Sequence, residues 1–295
     1  MEILEITEAH RKDIFDFLMR EPHTHLYQIE KLQSSDLDHT DDEWRAIYYD
    51  SQIIALSLSV GRWKNGGRSI SSVAIGDERS CFLLGEEELS VGGTDLIMGP
   101  RSSSDAFYQG LEHPPFLRFQ DQRLFVNHVV PHPFSYLEIR KALPDEFDQL
   151  ELWAGQMLEE DTGSNPRNID LETHRQNYWE KIQEGRILVG DLTEESCFIL
   201  KLNYQKLAPH FGEIAFVLEM GTQMQLGVQV GNTFVPTHLR QQGLGFRGMR
   251  GATHQILQNS QMVTLLAHEK NLPAIRTHLR AGYKKSTAFR VIEIA

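Results

Sequence analysis

The chain has 295 residues of ordinary hydrophobicity, enough for a substantial core, and this length favours two domains of about 150 residues each. Its 29 basic and 41 acidic residues give a formal charge of −12, which opposes nucleic-acid and anionic-membrane binding and suits a cationic amine ligand. No secretory signal or membrane-spanning run is evident, so we expect a cytoplasmic protein. Cys81 and Cys197 form no close-spaced pair or metal pattern and predict buried thiols.

A weak internal repeat organises the chain. Leu4-Glu5-Ile6 recurs as Leu137-Glu138-Ile139, and each copy precedes an amphipathic stretch at the same offset, with Ile14 matching Phe147. The two copies predict two related halves.

Apolar runs around short polar turns follow in both halves, over residues 45–60 and 186–204, which is typical of β-hairpins. The segment Pro131-His132-Pro133 predicts a stiff spacer, and hence domains at 1–130 and 134–295.

The later elements of both halves are also predicted by periodicity and turn residues. The N-terminal half ends in a strand near 95–101 and a helix over 102–111. The C-terminal half is predicted as strand 136–141, helices 145–159 and 171–184, strands 186–191, 197–206, 213–219 and 226–235, helix 242–259, strand 262–267, helix 272–281 and strand 287–294.

The segment from Val235 to Gly245 predicts a site for a diphosphate. Gly243 and Gly245 allow the main chain to approach a ligand closely, and helical spacing begins directly after them. The first amides of that helix suit a phosphate, and Arg240 adds a full positive charge.

A dinucleotide site is an alternative at the same place, because Gly243-Leu244-Gly245-Phe246-Arg247-Gly248 satisfies G-x-G-x-x-G and Glu269 follows at the distance of a ribose-binding acid. Against it, Pro236 to Gln242 separate the first glycine from the strand. Too few elements follow Glu269 to complete a doubly wound sheet.

The spacing Arg240-x-x-Gly243-x-Gly245 after Phe234-Val235-Pro236 resembles the acyl-CoA loop of the GNAT acetyltransferase superfamily. Asn271-x-x-Ala274, followed by His278 and Gly282-Tyr283, resembles the second signature of that family. The resemblance implies an α+β fold of two GNAT-like domains, each a mixed, mostly antiparallel sheet flanked by helices. The N-terminal half has neither motif, so it is expected to be a degenerate copy.

The resemblance also implies acetyl-CoA as acyl donor. The amides from Gln241 to Gly245 are expected to hold its pyrophosphate, while the backbone of Phe234 and Val235 pairs with the pantetheine arm. Asn271 is expected to cap the next helix and also to contact the cofactor. The residues expected to bind the cofactor are Phe234, Val235, Arg240, Gln241, Gln242, Gly243, Leu244, Gly245 and Asn271.

The sequence departs from the family pattern at the two positions expected to carry the catalytic acid and the catalytic base. His278 stands where the family commonly has a tyrosine, and an imidazole is able to donate a hydrogen bond or proton to the departing thiolate. The position of the family's base is Gln229, which cannot accept a proton. Glu219 and Glu213 are therefore the candidates through a water, and Glu269 lies at a strand end near the expected cleft.

We therefore predict an acetyl-CoA-dependent N-acyltransferase that acts on a small-molecule or peptide amine by direct attack on the thioester. Two further alternatives stay open: an acyl-CoA-binding sensor without turnover, and a ligase-like aminoacyl transferase, which the acidic charge disfavours. No metal is predicted, because His23, His25, His128 and His132 have no carboxylate or cysteine at ligand spacing. The sequence leaves the oligomeric state and the acceptor open.

Overall fold

The computed structural model describes residues 2–64, 67–132 and 135–295, which form ten α-helices and twelve β-strands. The helices are α1 (Arg11–Leu18), α2 (Leu26–Ser34), α3 (Glu78–Val91), α4 (Arg101–Gly110), α5 (Phe147–Thr162), α6 (Leu171–Gln183), α7 (Glu194–Ile199), α8 (Tyr204–Leu207), α9 (Leu244–Ile256) and α10 (Leu272–Ala281). The strands are β1 (Glu2–Glu5), β2 (Glu43–Tyr49), β3 (Gln52–Lys64), β4 (Gly67–Gly76), β5 (Leu96–Pro100), β6 (Phe116–Asn127), β7 (Ile139–Lys141), β8 (Ile187–Asp191), β9 (Ile214–Gln223), β10 (Val228–Phe234), β11 (Val263–His268) and β12 (Lys284–Ile294).

The chain divides into two compact units. Unit 1 comprises Met1–Leu124, Leu266–Asn271 and Lys285–Ala295, and unit 2 comprises Phe125–Leu265 and Leu272–Lys284. Within the described ranges, no helix has the length and apolarity that a bilayer crossing requires.

In unit 1, the strands lie in the order β1-β2-β3-β4-β5-β12. All neighbours are antiparallel except β4 and β5, which are parallel and are connected through α3. The predicted hairpin is confirmed as β2–β3, and its turn residues Asp50 and Ser51 both have positive φ, as a tight hairpin turn requires. Ile47, Leu84 and Phe107 belong to the core that α3 and α4 cover.

In unit 2, the strands lie in the order β7-β8-β9-β10-β11. Only β10 and β11 are parallel, and α9 connects them. One core cluster combines Leu150 of α5, Tyr178 of α6 and Phe234 at the end of β10. The mostly antiparallel sheet is incompatible with the doubly wound parallel sheet of a dinucleotide fold, so that alternative is wrong.

The predicted repeat appears in the order of elements. Each half runs strand, two helices, three strands, helix, strand, helix, strand, with α7 and α8 added in the second half. The two added helices lie where the sequence predicted a strand, so that prediction is wrong. The apolar run 197–206 was predicted as a strand, but Thr193 accepts a hydrogen bond from the amide of Ser196 at 2.9 Å and Asn203 caps the next helix, so two short helices form.

The division into units also differs from the domain limits predicted at 130 and 134. Pro133, the last residue of the predicted spacer, and Phe134, which follows it, lie outside the described residues. The last segment of the chain groups with unit 1 because β12 pairs with β5 over Phe289 to Glu293. A long-range strand pairing of this kind leaves no local signal in the sequence.

Gly248 of α9 gives a prediction about packing in unit 2. A Cβ at this position would lie 2.2 Å from the ring of Phe216, whereas a Cβ at Gly245 would have its nearest neighbour at 3.5 Å. We expect Gly248→Ala to lower the free energy of unfolding by about 1–3 kcal/mol through overpacking. The control Gly245→Ala should raise it by about 0.5–1 kcal/mol, since alanine is the better helix residue. Urea denaturation measures both, and equal effects would contradict the prediction.

Candidate functional site

Strand β10 changes its pairing just before the predicted cofactor loop. Its parallel pairing with β11 covers Val228 to Val230, and its pairing with β9 is irregular between Gly231 and Phe234. Asn232, inside this irregular stretch, has a positive φ of 47°. One extra residue on β10 therefore forms a β-bulge, and bulges end regular pairing and redirect the strand. The parallel pairing with β11 therefore ends before the last residues of β10.

The loop after β10 is anchored by Leu239, and its last residues leave the first amides of α9 without a side-chain cap from the described residues. Leu239 is fully buried. Gln241 and Gly243 have φ of 65° and 75°, and α9 begins at Leu244 without a side-chain cap among the described residues. Left-handed residues directly before a helix turn successive amides toward one side, and the uncapped helix start adds a partial positive charge. The arrangement is able to bind an anion.

Arg240 is held in place by its neighbours. Its Nε donates to the carbonyl of Val235 at 2.9 Å, and its Nη2 contacts both carboxylate oxygens of Glu160 at 3.1 and 3.0 Å. The guanidinium also lies 5.2 Å from the centre of the Phe234 ring. Arg240 therefore stiffens the loop, and Glu160 offsets part of the charge that the sequence assigned to a phosphate.

Two other arginines, which the sequence analysis missed, lie beside the loop. Arg247 of α9 donates to the carbonyls of Gly243 and Leu200, at 3.3 and 3.0 Å. The guanidinium groups of Arg247 and Arg280 lie 4.6 and 4.1 Å from the ring centre of Phe246. Burial, together with the nearby Arg280, lowers the pKa of Arg247. The sequence does contain a signal for the position of Arg247. This residue follows Gly243 by four residues, so it lies one helical turn after the loop.

His278 lies on the buried face of α10, with 6% of its surface exposed. Its ring is 5.7 Å from that of Phe125 and 6.2 Å from that of Tyr283. Its Nδ1 is buried without a hydrogen-bond partner in the part of the chain that the structure describes. Burial lowers the pKa of His278 to about 4, so the imidazole is neutral at pH 7. A neutral ring donates a hydrogen bond but is not a strong acid.

The predicted bases are all engaged in other contacts. Glu219 pairs with Lys181 at 2.7 Å and accepts from Asn232 at 2.8 Å, beside the bulge of β10. Glu213 accepts from His210 and His238 at 2.9 and 2.8 Å. Burial opposes ionisation of Glu213, but these two hydrogen bonds outweigh it and lower its pKa.

Two residues assigned to the site lie in the segment Leu266–Asn271 of unit 1. Glu269 pairs with Arg123 at 2.7 Å and with Arg101 at 3.0 Å. Burial works against its ionisation, but both arginines outweigh burial and hold its pKa below the ordinary value. A carboxylate held in this way is a poor base. The backbone amide of Asn271 donates to the carbonyl of His268 at 2.9 Å. The role of Asn271 in cofactor binding stays a prediction.

The corresponding junction in unit 1 runs from β4 into α3 and has a different chemistry. Asp77 caps α3 by accepting a hydrogen bond from the amide of Ser80 at 3.0 Å, and Glu78 follows in the first turn. These carboxylates occupy and neutralise the helix start that would otherwise attract a phosphate. The difference favours a single cofactor loop, the one in unit 2.

No protein-family model matches the sequence, and no curated protein is significantly similar to it. An acetyltransferase of the GNAT family from Colwellia psychrerythraea has a TM-score of 0.52 at 9% identity, with 100% of both chains covered. A GCN5-related N-acetyltransferase from Sphaerobacter thermophilus has a TM-score of 0.58 at 11% identity, with 99% of this chain and 94% of the other covered. A tandem GNAT protein from the clavulanic acid biosynthesis pathway has a TM-score of 0.52 at 10% identity, with 99% and 97% covered.

The similarity extends over the whole chain in each case, at identities that establish the fold alone. It agrees with the element order of both halves and with the mixed, mostly antiparallel sheets described above. The chain therefore has the α+β fold of the tandem GNAT acetyltransferases.

Proposed function

We propose that the chain is an acetyl-CoA-dependent N-acyltransferase with its site in unit 2. The observation that carries the proposal is the junction of β10 and α9. There, a bulged strand leaves its parallel partner after Val230, and two left-handed residues lead into a helix without a side-chain cap among the described residues. An uncapped helix start suits a diphosphate, and a strand end that has left its parallel neighbour suits an extended amide-containing ligand.

Acetyl-CoA has a diphosphate between a nucleotide and an amide-bearing arm. The strand end suits the arm, and the helix start that follows it in the chain suits the diphosphate. The amides from Gln241 to Gly245 hold the diphosphate, and Phe234 and Val235 pair with the arm. Arg247 and Arg280 place positive charge near Phe246 for the phosphates of the nucleotide end. Arg240 acts by fixing the loop.

The acceptor chemistry needs a neutral amine and stabilisation of the departing thiolate. The bound donor supplies a thioester whose acyl carbon the amine attacks. Glu219 uses two of its about four lone-pair sites for Lys181 and Asn232, so the others are available to accept a proton through a water. His278, neutral at pH 7, stabilises the thiolate by hydrogen bonding rather than by giving up a proton. The acceptor is a small-molecule or peptide amine.

A second candidate, an acyl-CoA-binding sensor without turnover, is favoured by one observation. Lys181 and Asn232 hold Glu219, two imidazoles hold Glu213, and His278 is buried in its neutral form. A site with these groups would bind acyl-CoA but supply weak acid–base catalysis. The two candidates differ only in turnover.

Calorimetry with acetyl-CoA followed by a thiol-release assay with a panel of amines separates these candidates. Binding together with amine-dependent thiol release supports the transferase. Binding without release for any amine supports the sensor. If neither acetyl-CoA nor longer acyl-CoAs bind, both candidates are wrong.

A further inference from the structure

Three metal-binding side chains meet in unit 2 at a place that the proposed reaction does not use. His210 Nδ1 lies 2.9 Å from Glu213 Oε1, and His238 Nε2 lies 2.8 Å from Glu213 Oε2. The two imidazole centres are 4.9 Å apart, and one ligand atom from each residue lies within 4.8 Å of the others. The histidines considered from the sequence were different ones, because His238 is 25 residues from Glu213 and its approach is a tertiary contact.

The backbone holds the first two side chains firmly. The backbone amide of Leu192 donates a hydrogen bond to the carbonyl of Glu213 at 2.9 Å. The amide of Gly212 donates to the carbonyl of Leu192 at 2.8 Å. The chain reverses between His210 and Glu213 through Gly212, whose φ of 92° favours glycine. His210 and Glu213 therefore project from one fixed turn.

The third side chain comes from the loop between β10 and α9. His238 lies in the short 3-10 turn Thr237–Leu239, directly before buried Leu239 and three residues after Val235. The side chains of His210, Glu213 and His238 are 31%, 41% and 48% exposed, so a solvated ion has access to all three. Occupation of the cluster would tie this loop to the turn that carries His210.

The donor set selects the kind of ion. Two imidazoles and a carboxylate are the ligands of zinc sites that keep a fourth position open, whereas Mg²⁺ and Ca²⁺ take oxygen ligands. In a tetrahedral zinc site with Zn–N distances of about 2.0–2.1 Å, ligand atoms lie about 3.3 Å apart. The ligand atoms now lie within 4.8 Å of one another, so they need to approach by at most about 1.5 Å to reach that arrangement.

We propose that His210, Glu213 and His238 form a binding site for a zinc-class divalent cation that fastens the loop after β10 to the turn Ala208–Glu213. The site goes beyond the proposed acyl transfer, and ion binding itself does not depend on that function. The ion stabilises one loop conformation because it binds only when His238 lies against the turn. Opening the loop would break the site.

Equilibrium dialysis of tag-free protein against Zn²⁺, with metal analysis, tests the site directly. We expect one Zn²⁺ per chain, with no competition from excess Mg²⁺. His210→Ala and His238→Ala should each weaken Zn²⁺ binding by more than the roughly 10-fold that loss of an outer-shell partner costs. Glu213→Gln should also weaken it, because an amide is a poorer ligand than a carboxylate. His39→Ala is the matched control, since His39 also pairs with a carboxylate on the surface, that of Asp36 at 3.1 Å.

Hydrogen exchange of the amides 237–243 tests the fastening of the loop. At a Zn²⁺ concentration 100 times the Kd, exchange that requires opening should slow by up to roughly 100-fold in the wild type. It should not slow in His238→Ala, and we expect a Tm equal to that of the wild type without metal, which would show that this variant folds. The proposal is overturned if the wild type takes up no Zn²⁺, if His238→Ala binds it like His39→Ala, or if bound Zn²⁺ leaves the loop exchange unchanged.

Discussion

Replacing Gly245 with aspartate is expected to weaken acetyl-CoA binding roughly 100-fold while the protein remains fully folded. Gly245 is the second residue of α9, and a Cβ there would have only ordinary contacts, 3.5 Å from Thr277 and 3.6 Å from Val235. A carboxylate in the first turn of a helix stabilises it by about 0.3–1 kcal/mol. The same carboxylate would face the diphosphate that the proposed function places on these amides.

The size of the effect follows from Coulomb's law. Two negative charges about 5 Å apart repel each other by about 3 kcal/mol at an effective dielectric constant of about 20, and about 1.4 kcal/mol corresponds to a factor of ten in Kd. Part of this repulsion is screened by salt, so the loss should be smaller at 0.5 M NaCl than at 0.05 M.

Calorimetry and thermal unfolding together check the prediction. Gly245→Asn is the matched control, since its side chain has nearly the size and shape of aspartate without the charge, and it should bind acetyl-CoA much more tightly than the aspartate variant. Tight binding by the aspartate variant would show that the diphosphate does not lie on the start of α9. A lowered Tm in the aspartate variant alone would contradict the packing part of the argument.

The sequence predicted those elements whose ends carry local signals. Helix 272–281 agrees with α10 at both ends, because Pro273 suits a helix start and Gly282, with a φ of 105°, suits its end. The loop after β10 was likewise predicted from its glycines, and Gly243 adopts the left-handed conformation that makes glycine useful there.

What the sequence did not predict has two physical origins. In residues 197–206 the apolar run favoured a strand, but capping by Thr193 and Asn203 decided the local conformation in favour of helices. The sequence also carried no indication of ion pairs between residues far apart in the chain. Arg123 lies 146 residues from Glu269, and Glu213 lies 25 residues from His238. Spacing along a chain does not predict such ion pairs, and they determine which carboxylates are available as bases.

His278 gives the second large prediction, a change in stability with pH. Its pKa is about 4 in the folded protein and near 6.5 in an unfolded chain, because burial disfavours the charged ring. Between these values the unfolded state binds the proton and the folded state does not. Stability contributed by His278 is therefore complete above pH 6.5 and is lost as the pH falls toward 4, by roughly 3 kcal/mol in total.

His278→Phe should remove this part of the pH dependence. The phenyl ring keeps the contacts with Phe125 and Tyr283 but does not titrate, so the variant should gain about 2–3 kcal/mol relative to the wild type between pH 7.5 and 4.5. His25, whose pKa burial also lowers, is present in both proteins, so its contribution cancels in the comparison. Urea denaturation at the two pH values measures the difference, and a constant difference would mean that His278 is not buried in its neutral form.

His278→Tyr separates this structural role from catalysis. Like phenylalanine, tyrosine does not titrate between pH 4.5 and 7.5, so both variants should show the same change in pH-dependent stability. Tyrosine restores a hydrogen-bond donor, whereas phenylalanine does not. If the residue contacts the departing thiolate, kcat should fall in the phenylalanine variant and recover in the tyrosine variant, with acetyl-CoA affinity similar in both. Equal turnover in all three proteins would leave His278 as a packing residue and remove it from the proposed mechanism.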